Sequence, residues 1–351
     1  MSRITMAQGA GGEAMQEMIK ELVLKNLEYP GENSIEIPLS ALDDSAVVGD
    51  IVFTTDSHTV RPIFFPGGDI GSLSVAGTVN DVSVMGARPL ALSLAMVIEE
   101  GLESSQLERI LKSVGDSSRA AGVPVVTGDT KVVEHGALQK IIMTTSGIGR
   151  RSPHLDTNFE LVRESRPFDS RWLIDSNVAD GDVIIFSGSI GDHGVALLSF
   201  REGYEFETEL TSDVTCLNTM IDHALAVGGI TSMKDATRGG VSNTLNEWSA
   251  KSGVGIIICE DSIPLKDPVK AACGMLGIDP MEIGNEGKAV IAVVPEMADE
   301  VLASLQKTKE GKGAAIVGRA SRDIRGVVLE TSIGGRRIVE PPIADPVPRI
   351  C

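Results

Sequence analysis

Residues 14–27 repeat apolar side chains at helical spacing, with Met15, Met18, Ile19, Leu22 and Val23 on one side. Short β-type runs follow at 45–48 and 51–55. Residues 70–85 predict a helix whose small members, Gly71, Ala76 and Gly77, permit close packing. A strand is predicted at 90–98, a helix at 104–121 with Ser104 as its N-cap, and further strands at 123–127 and 141–149. This alternation makes a first α/β unit of residues 1–150. Residues 151–180 are polar, mixed in charge and carry Pro153 and Pro167, which reads as a linker or surface insertion. A second α/β unit covers 181–340. Its strand at 183–187 runs into a glycine-bearing turn, followed by helices at 195–200, 216–227 and 241–252. Strands are predicted at 255–259, 289–294, 314–319 and 326–331. The last segment, 341–351, holds four prolines, cannot be helical, and predicts a flexible, extended tail. The fold class is therefore α+β, with two α/β domains and a tail.

Composition narrows the function. A chain of 351 residues with 42 % hydrophobic and 23 % charged residues suits a two-domain globular enzyme. The net charge of −18 repels phosphate backbones, and 3 % aromatic content leaves little for base stacking, so nucleic acid is not an expected partner. No apolar run reaches the roughly 18 residues of a membrane span, and the start of the chain lacks the apolar core of a signal peptide. Cys216, Cys259, Cys273 and Cys351 form no CxxC pair and no zinc spacing, which suggests a reduced, cytoplasmic protein.

Acidic residues recur beside apolar runs in the first unit. They lie in Asp43-Asp44-Ser45-Ala46, Thr54-Thr55-Asp56-Ser57, Gly77-Thr78-Val79-Asn80-Asp81 and Gly128-Asp129-Thr130-Lys131. One such Asp is more often a turn or cap residue, but four segments in one unit point to hard-oxygen ligands for magnesium, which neutralises nucleotide phosphates. Gly9–Gly12 and Gly67-Gly68 offer backbone N–H groups to phosphate oxygens. Neither a GxxxxGK[ST] loop nor a GxGxxG after a strand is present, so a nucleotide site here is of neither the Walker nor the Rossmann type. Lys131 lies close to Asp129, so both can face a γ-phosphate. Glu286, in an Asn-Glu-Gly turn, is either a base or a turn carboxylate. His193, between Asp192 and Gly194, is a phosphate contact, an orienting group or a satisfied core histidine.

Together with Asp235-Ala236-Thr237-Arg238-Gly239-Gly240, these segments resemble the superfamily of aminoimidazole ribonucleotide synthetase, selenophosphate synthetase and thiamine-monophosphate kinase. Phe64-Phe65-Pro66-Gly67-Gly68-Asp69-Ile70-Gly71, Gly191-Asp192-His193-Gly194, Asn285-Glu286-Gly287-Lys288 and the terminal Pro348-Arg349-Ile350-Cys351 narrow it. They resemble the HypE family, the carbamoyl dehydratase of nickel–iron hydrogenase maturation, from Gly9 to Cys351. The resemblance implies two domains of the aminoimidazole ribonucleotide synthetase type and a homodimer paired through its N-terminal sheets. ATP and Mg2+ would lie at the domain and subunit boundary. It further implies a carbamoyltransferase that loads Cys351 with a carboxamide, and an iron-holding scaffold complex that accepts the cyanide. Carried over, Cys351, Lys131 and Glu286 are the catalytic candidates. Asp56, Gly77, Asn80, Asp81, Asp129, Thr130, Lys131, Gly67, Gly68 and His193 are the nucleotide-binding candidates, and Asp43, Asp44, Asp56, Asp81 and Asp235 the magnesium candidates. Residues 279–284 depart from the family pattern just ahead of Asn285.

Cys351 is the sharpest candidate, because most chain ends are disordered and do nothing, and a plain tail does not need a reactive thiol. Residues 343–351 can span at most roughly 30 Å, enough to move between an internal site and an outside partner. Another phosphoryl-transfer enzyme of the superfamily, or a non-catalytic docking scaffold, are the competing readings. The absence of a Cys near the N-terminus speaks against a selenophosphate synthetase, and a scaffold would not need the Asp segments.

Overall fold

The computed structural model describes residues 3–9, 11–27, 34–203, 210–343, 346–347 and 349–351. Pro348 of the terminal tetrapeptide, and residues 344–345 of the tail, lie outside the described residues. Glu13–Met18, Ile19–Leu24 and Lys25–Leu27 form one helical stretch whose middle is wound as a π-helix.

The first sheet is built from β1 (Ile35–Ile37), β2 (Ala46–Val48), β3 (Ile51–His58), β6 (Ala87–Glu99), β7 (Val125–Val133) and β8 (Ile141–Arg151). A small hairpin of β4 (Phe64–Phe65) and β5 (Gly68–Asp69) stands beside it. The sheet order is β1-β2-β3-β8-β6-β7, antiparallel except for β6–β7. Strand β3 alternates as a half-buried strand should: Val52, Thr54 and His58 face inward, Ile51 and Phe53 outward. The helix Ile70–Val84 lies across the inner face. Asp69 caps it, accepting from the amides of Gly71 and Ser72, while the Ser72 hydroxyl accepts from the Asp69 amide. The helix Ser104–Ala121 packs beside it.

The second sheet joins β9 (Val183–Phe186), β10 (Ile230–Asp235), β11 (Gly255–Cys259), β12 (Ala289–Val293), β13 (Ala315–Ser321), β14 (Val327–Glu330) and β15 (Arg336–Val339). Its order is β10-β12-β9-β13-β11-β14-β15. Its edge strand β10 is buried along its whole length, because it packs against the helix Ile70–Val84 of the first unit. One core cluster therefore crosses the boundary, joining Val52 and Met85 to Ile185, Met233 and Ile291. No helix among the described residues is long and apolar enough to cross a membrane.

Three expectations need correction. Residues 151–180 are not a surface insertion: Leu155–Ser165 is a helix, and Leu155, Phe159, Val162, Trp172 and Leu173 are buried in the shared core. The i, i+4, i+7 spacing of 155, 159 and 162 carried that signal beneath a polar composition. The helix at 104 is preceded by Glu103 in extended backbone, and Ser104 makes no cap bond. Asp129–Lys131 is not a loop beyond a strand; it lies inside β7, exposed at the sheet edge.

The tail is extended and docked. Val347 and Ile350 are buried in the core cluster of the first unit, beside Val60, Phe65 and Ile70. Pro342 lies so close to the N-terminal segment that a Cβ on Gly12 would sit 1.8 Å from its carbonyl oxygen.

Candidate active site

A cavity of about 570 Å3 opens between the two units, within the range of small-molecule sites. Gly11 and, from the N-terminal helical stretch, Met15 and Ile19 line it, as do Asn243, Glu247 and Lys251 of the helix Gly240–Ser252. The sequence-predicted Asp43, Asp44, Asp56, Asp81, Asp235, Glu286 and Cys351 all line it.

These acids arrive from separate elements. Asp43 and Asp44 precede β2, Asp56 lies on β3, Asp81 on the helix Ile70–Val84, and Asp235 ends β10. Thr54 donates to Asp81 Oδ2 at 2.9 Å and is 3.1 Å from the Asp44 carbonyl. Burial first, and then Asp235, Asp56 and Asp44, push the Asp81 carboxyl well above its ordinary value. Burial and Asp44 do the same to Asp235, and burial and Asp235 to Glu286. The buried oxygens Asp235 Oδ2 and Glu286 Oε1 have no hydrogen-bond partner among the described residues. No three His, Cys, Asp or Glu side chains among the described residues converge as a ready-made metal cage. The cluster instead offers hard oxygen donors and uncompensated negative charge. That fits magnesium, which commonly takes one or two carboxylates and fills its shell with water and substrate phosphates.

A lysine hub borders this cluster. Lys234 Nζ donates to Asp44 at 2.8 Å and Asp175 at 3.2 Å and lies 3.3 Å from Glu247. Lys251 Nζ donates to Asp175 at 2.6 Å and to the Leu42 carbonyl at 2.6 Å. Trp248 Nε1 donates to the other Asp175 oxygen at 2.8 Å. Burial disfavours charge on Asp175, but Lys234 and Lys251 outweigh it and hold the carboxyl below its ordinary range. Burial raises Asp43 and Asp44 to about 6 and Asp175 adds to the rise; Lys251 and Lys234 oppose it at Asp43, and Lys234 at Asp44. Asp43 is drawn into this hub, accepting the Asp175 amide at 3.0 Å.

Glu286, Cys351 and Arg238 line the same cavity. The charge on Cys351 is the largest influence on the Arg238 guanidinium, raising its pKa, and Asp56, Glu286 and Asp81 act the same way. The backbone at Glu286 is fixed by Asp213, which accepts the Glu286 amide at 3.0 Å and pairs with Lys288 at 3.2 Å.

The other predicted residues sit elsewhere. Gly77 faces Asp56 and His58, each 3.0 Å from where a Cβ would project; it admits those side chains to the helix surface. Asn80 donates to the Thr215 carbonyl and accepts the Leu217 amide, tying the helix to the second unit. Gly67 and Gly68 leave room for Ser212 and Val214, and Gly67 has φ +93. His193 is fully buried between Ser212 and the Ile350 carbonyl. Asp129, Thr130 and Lys131 are exposed on β7, with Lys131 Nζ 3.9 Å from Asp129. Register pairs Lys131 with Val97 and Asp129 with Ala95, which puts both on the outer face that carries Phe53 and Ile148.

Sequence reasoning assigned no role to Asp175, Lys234, Lys251, Asp213 or Arg238. Arg238 was within reach, since it stands in the Asp235–Gly240 segment. Asp175 was hidden by reading its surroundings as a linker.

Family models for AIR synthase related proteins match the chain, the N-terminal domain over residues 42–151 and the C-terminal domain over 179–329. A putative hydrogenase expression/formation protein of Methanocaldococcus jannaschii is 49 % identical over 99 % of this chain and 100 % of its own length. The carbamoyl dehydratase HypE of Azotobacter vinelandii is 42 % identical over 99 % of this chain and 97 % of its own. Among solved structures, a HypE–HypF complex matches with TM-score 0.83 and 40 % identity, over 93 % of this chain and 99 % of the solved one. HypE in complex with ATP matches with TM-score 0.79 and 38 % identity, over 99 % and 100 %. A chain that shares two-fifths of its residues with HypE along nearly its whole length, and keeps the same two-domain fold, belongs to the HypE family of carbamoyl dehydratases.

Proposed function

We propose that this chain is an ATP-dependent carbamoyl dehydratase acting on its own C-terminus, turning an S-carboxamide on Cys351 into a thiocyanate. One observation carries the reading. Cys351, the last residue, enters the same cavity as the carboxylate cluster, Arg238 and Glu286. A tethered thiol there suits a substrate held on the chain, beside a site for a polyphosphate that brings its own cation.

The chemistry follows from the leaving group. The amide oxygen of R–S–C(=O)–NH2 leaves only after phosphorylation, so the balance is R–S–C(=O)–NH2 + ATP → R–S–C≡N + ADP + phosphate. The nitrogen gives up both protons, one appearing on phosphate and one released. Glu286 is the assigned acceptor: its buried carboxyl has one unpartnered oxygen and a backbone fixed by Asp213. Arg238, which lines the cavity with Cys351, is the assigned group to stabilise negative charge gathering on the amide oxygen. Asp43, Asp44, Asp56, Asp81 and Asp235 would hold magnesium, which would neutralise phosphate charge; Asp43 and Asp44 each also face the lysine hub.

Lys131 cannot be assigned within its own cavity, so we assign it to a second copy. The outer sheet face that carries Lys131 and Asp129 also exposes Phe53 and Ile148, at 46 % and 41 %. A homodimer joined there would cover these side chains and bring Lys131 toward the partner's site. A carbamoyltransferase loads Cys351 in this reading, supported by the solved HypE–HypF complex, and an iron-holding scaffold takes the cyano group. No disulfide joins the described cysteines, which fits a reducing compartment such as the cytoplasm.

The test is chemical loading. Cyanate carbamoylates thiols, and the tail peptide is then weighed by mass spectrometry. Added ATP and magnesium should remove one water from the Cys351 adduct. An adduct that persists, or that loses water without ATP, overturns the proposal.

A further inference from the structure

His193 reads from the sequence as a phosphate contact, an orienting group or a satisfied core histidine, and it does not line the cavity and is fully buried. Its ring does something else. Nδ1 lies 2.7 Å from Ser212 Oγ, and Nε2 lies 2.8 Å from the carbonyl oxygen of Ile350. A carbonyl only accepts, so Nε2 carries the hydrogen; Nδ1 then takes the Ser212 hydroxyl hydrogen. Phe65 stands edge-on at 5.5 Å and 88°, fixing the ring plane. The imidazole therefore grips the peptide link next to Cys351.

The surroundings form a seat for the same two residues. Ile350 is 1 % exposed, and its Cδ1 occupies the space over Gly284, where an added Cβ would come within 2.4 Å. Arg349 bends into left-handed backbone at φ +60, which disfavours a residue with a Cβ, so its neighbours must hold the bend. They do: the Arg61 amide donates to the Arg349 carbonyl at 3.1 Å, and Arg349 Nε donates to the Thr59 carbonyl at 3.3 Å.

We propose that His193 is the positioning residue of the tail, gripping the Ile350 carbonyl while Gly284 admits the Ile350 side chain, so that the sulfur of Cys351 is delivered to the cavity. This rests on the reading of Cys351 as the carrier. It makes two half-reactions diverge. Loading by an outside enzyme needs the tail released, whereas dehydration needs it seated. Loosening the grip should favour the first and slow the second.

The test uses the full chain and two amides that split the histidine's bonds. In His193→Gln the amide nitrogen can reach the Nε2 position and keep the tail bond. In His193→Asn the side chain reaches only the Nδ1 position, and the tail bond is lost. Alkylation of Cys351 by iodoacetamide, followed on the tail peptide, should speed up about tenfold in His193→Asn and stay near wild type in His193→Gln, the worth of one buried hydrogen bond. Dehydration of the cyanate-loaded thiol should slow in kcat in His193→Asn, with KM for ATP unchanged. Gly284→Ala and Ile350→Ala should reproduce the faster alkylation; Ile350→Ala alters only the tail and keeps the test open if a His193 variant fails to fold. Equal alkylation in wild type, His193→Asn and Ile350→Ala overturns the proposal. So does a raised KM for ATP with kcat unchanged, which would make His193 a nucleotide contact. Faster alkylation in a protein whose wild type never dehydrates the adduct would leave the seat standing and remove the dehydratase reading instead.

Discussion

Removing Asp175 tests whether the lysine hub holds the two units together. Its carboxylate is 2 % exposed and accepts from Trp248, Lys234 and Lys251. In Asp175→Ala the buried Trp248 N–H loses its acceptor, at about 1–3 kcal/mol. Each ammonium loses one partner but is not stranded: Lys234 keeps Asp44 and Glu247, and Lys251 keeps the Leu42 carbonyl. The ionic part therefore falls below the roughly 3–5 kcal/mol of a fully broken buried pair, and about 3 kcal/mol in all is expected. Asp175→Asn retains an acceptor for Trp248 and should lose about half as much. Both tryptophans, Trp172 and Trp248, are buried near this junction, so urea unfolding followed by their fluorescence reports it directly. The losses should change little between 0.1 and 1 M salt, since buried pairs are poorly screened. An Asp175→Ala protein within about 0.5 kcal/mol of wild type, the range of an ordinary surface substitution, would refute the argument and make the hub a wet surface cluster.

Three further outcomes are expected. Glu286→Gln should still accept a carboxamide on Cys351 but dehydrate it about 100-fold or more slowly, visible as an adduct that persists after ATP; wild-type loss of water would make Glu286 a turn residue. Asp44 is raised from 3.8 to about 6, so its folded form prefers the proton, and the stability it contributes is full below about pH 4 and lost as pH rises through 6. Asp81, Asp235 and Glu286 shift the same way, so the gain in melting temperature from magnesium should be larger at pH 8 than at pH 5 by calorimetry; equal gains would remove the cluster as the cation site. Lys131→Ala and Cys351→Ala should each be inactive alone, yet their mixture should recover about a quarter of wild-type dehydration, because half of random dimers are mixed and each mixed dimer has one complete site. A mixture without activity would place Lys131 in its own chain's site, and a Lys131→Ala protein active alone would place it in none.

What was legible in the chain follows from how local each feature is. The helix Ile70–Val84 and the strands β3 and β8 were legible because the run of small and apolar residues that marks each one is local to the segment itself. The acidic cluster was legible as a set, because carboxylates beside apolar runs in the first unit had to gather on few surfaces. Asp235 came with its segment. Roles that depend on what lies opposite were not legible. Gly67 and Gly68 have the composition of a phosphate cradle, but a strap from residue 210 onward packs on them. Nothing in the sequence says that Ser212 comes to rest there. Asn80 was read by its neighbour Asp81, although successive helix positions point about 100° apart and only one of the two faces the cavity. Lys131 is the strongest case. Strand parity puts it on the same outer face as Phe53 and Ile148, away from the cavity of its own chain. No reading of one chain, by sequence or by fold, brings that ammonium to a phosphate. In the proposed homodimer a second copy would, and Phe53 and Ile148, exposed on the same outer face, are the physical reason to expect one.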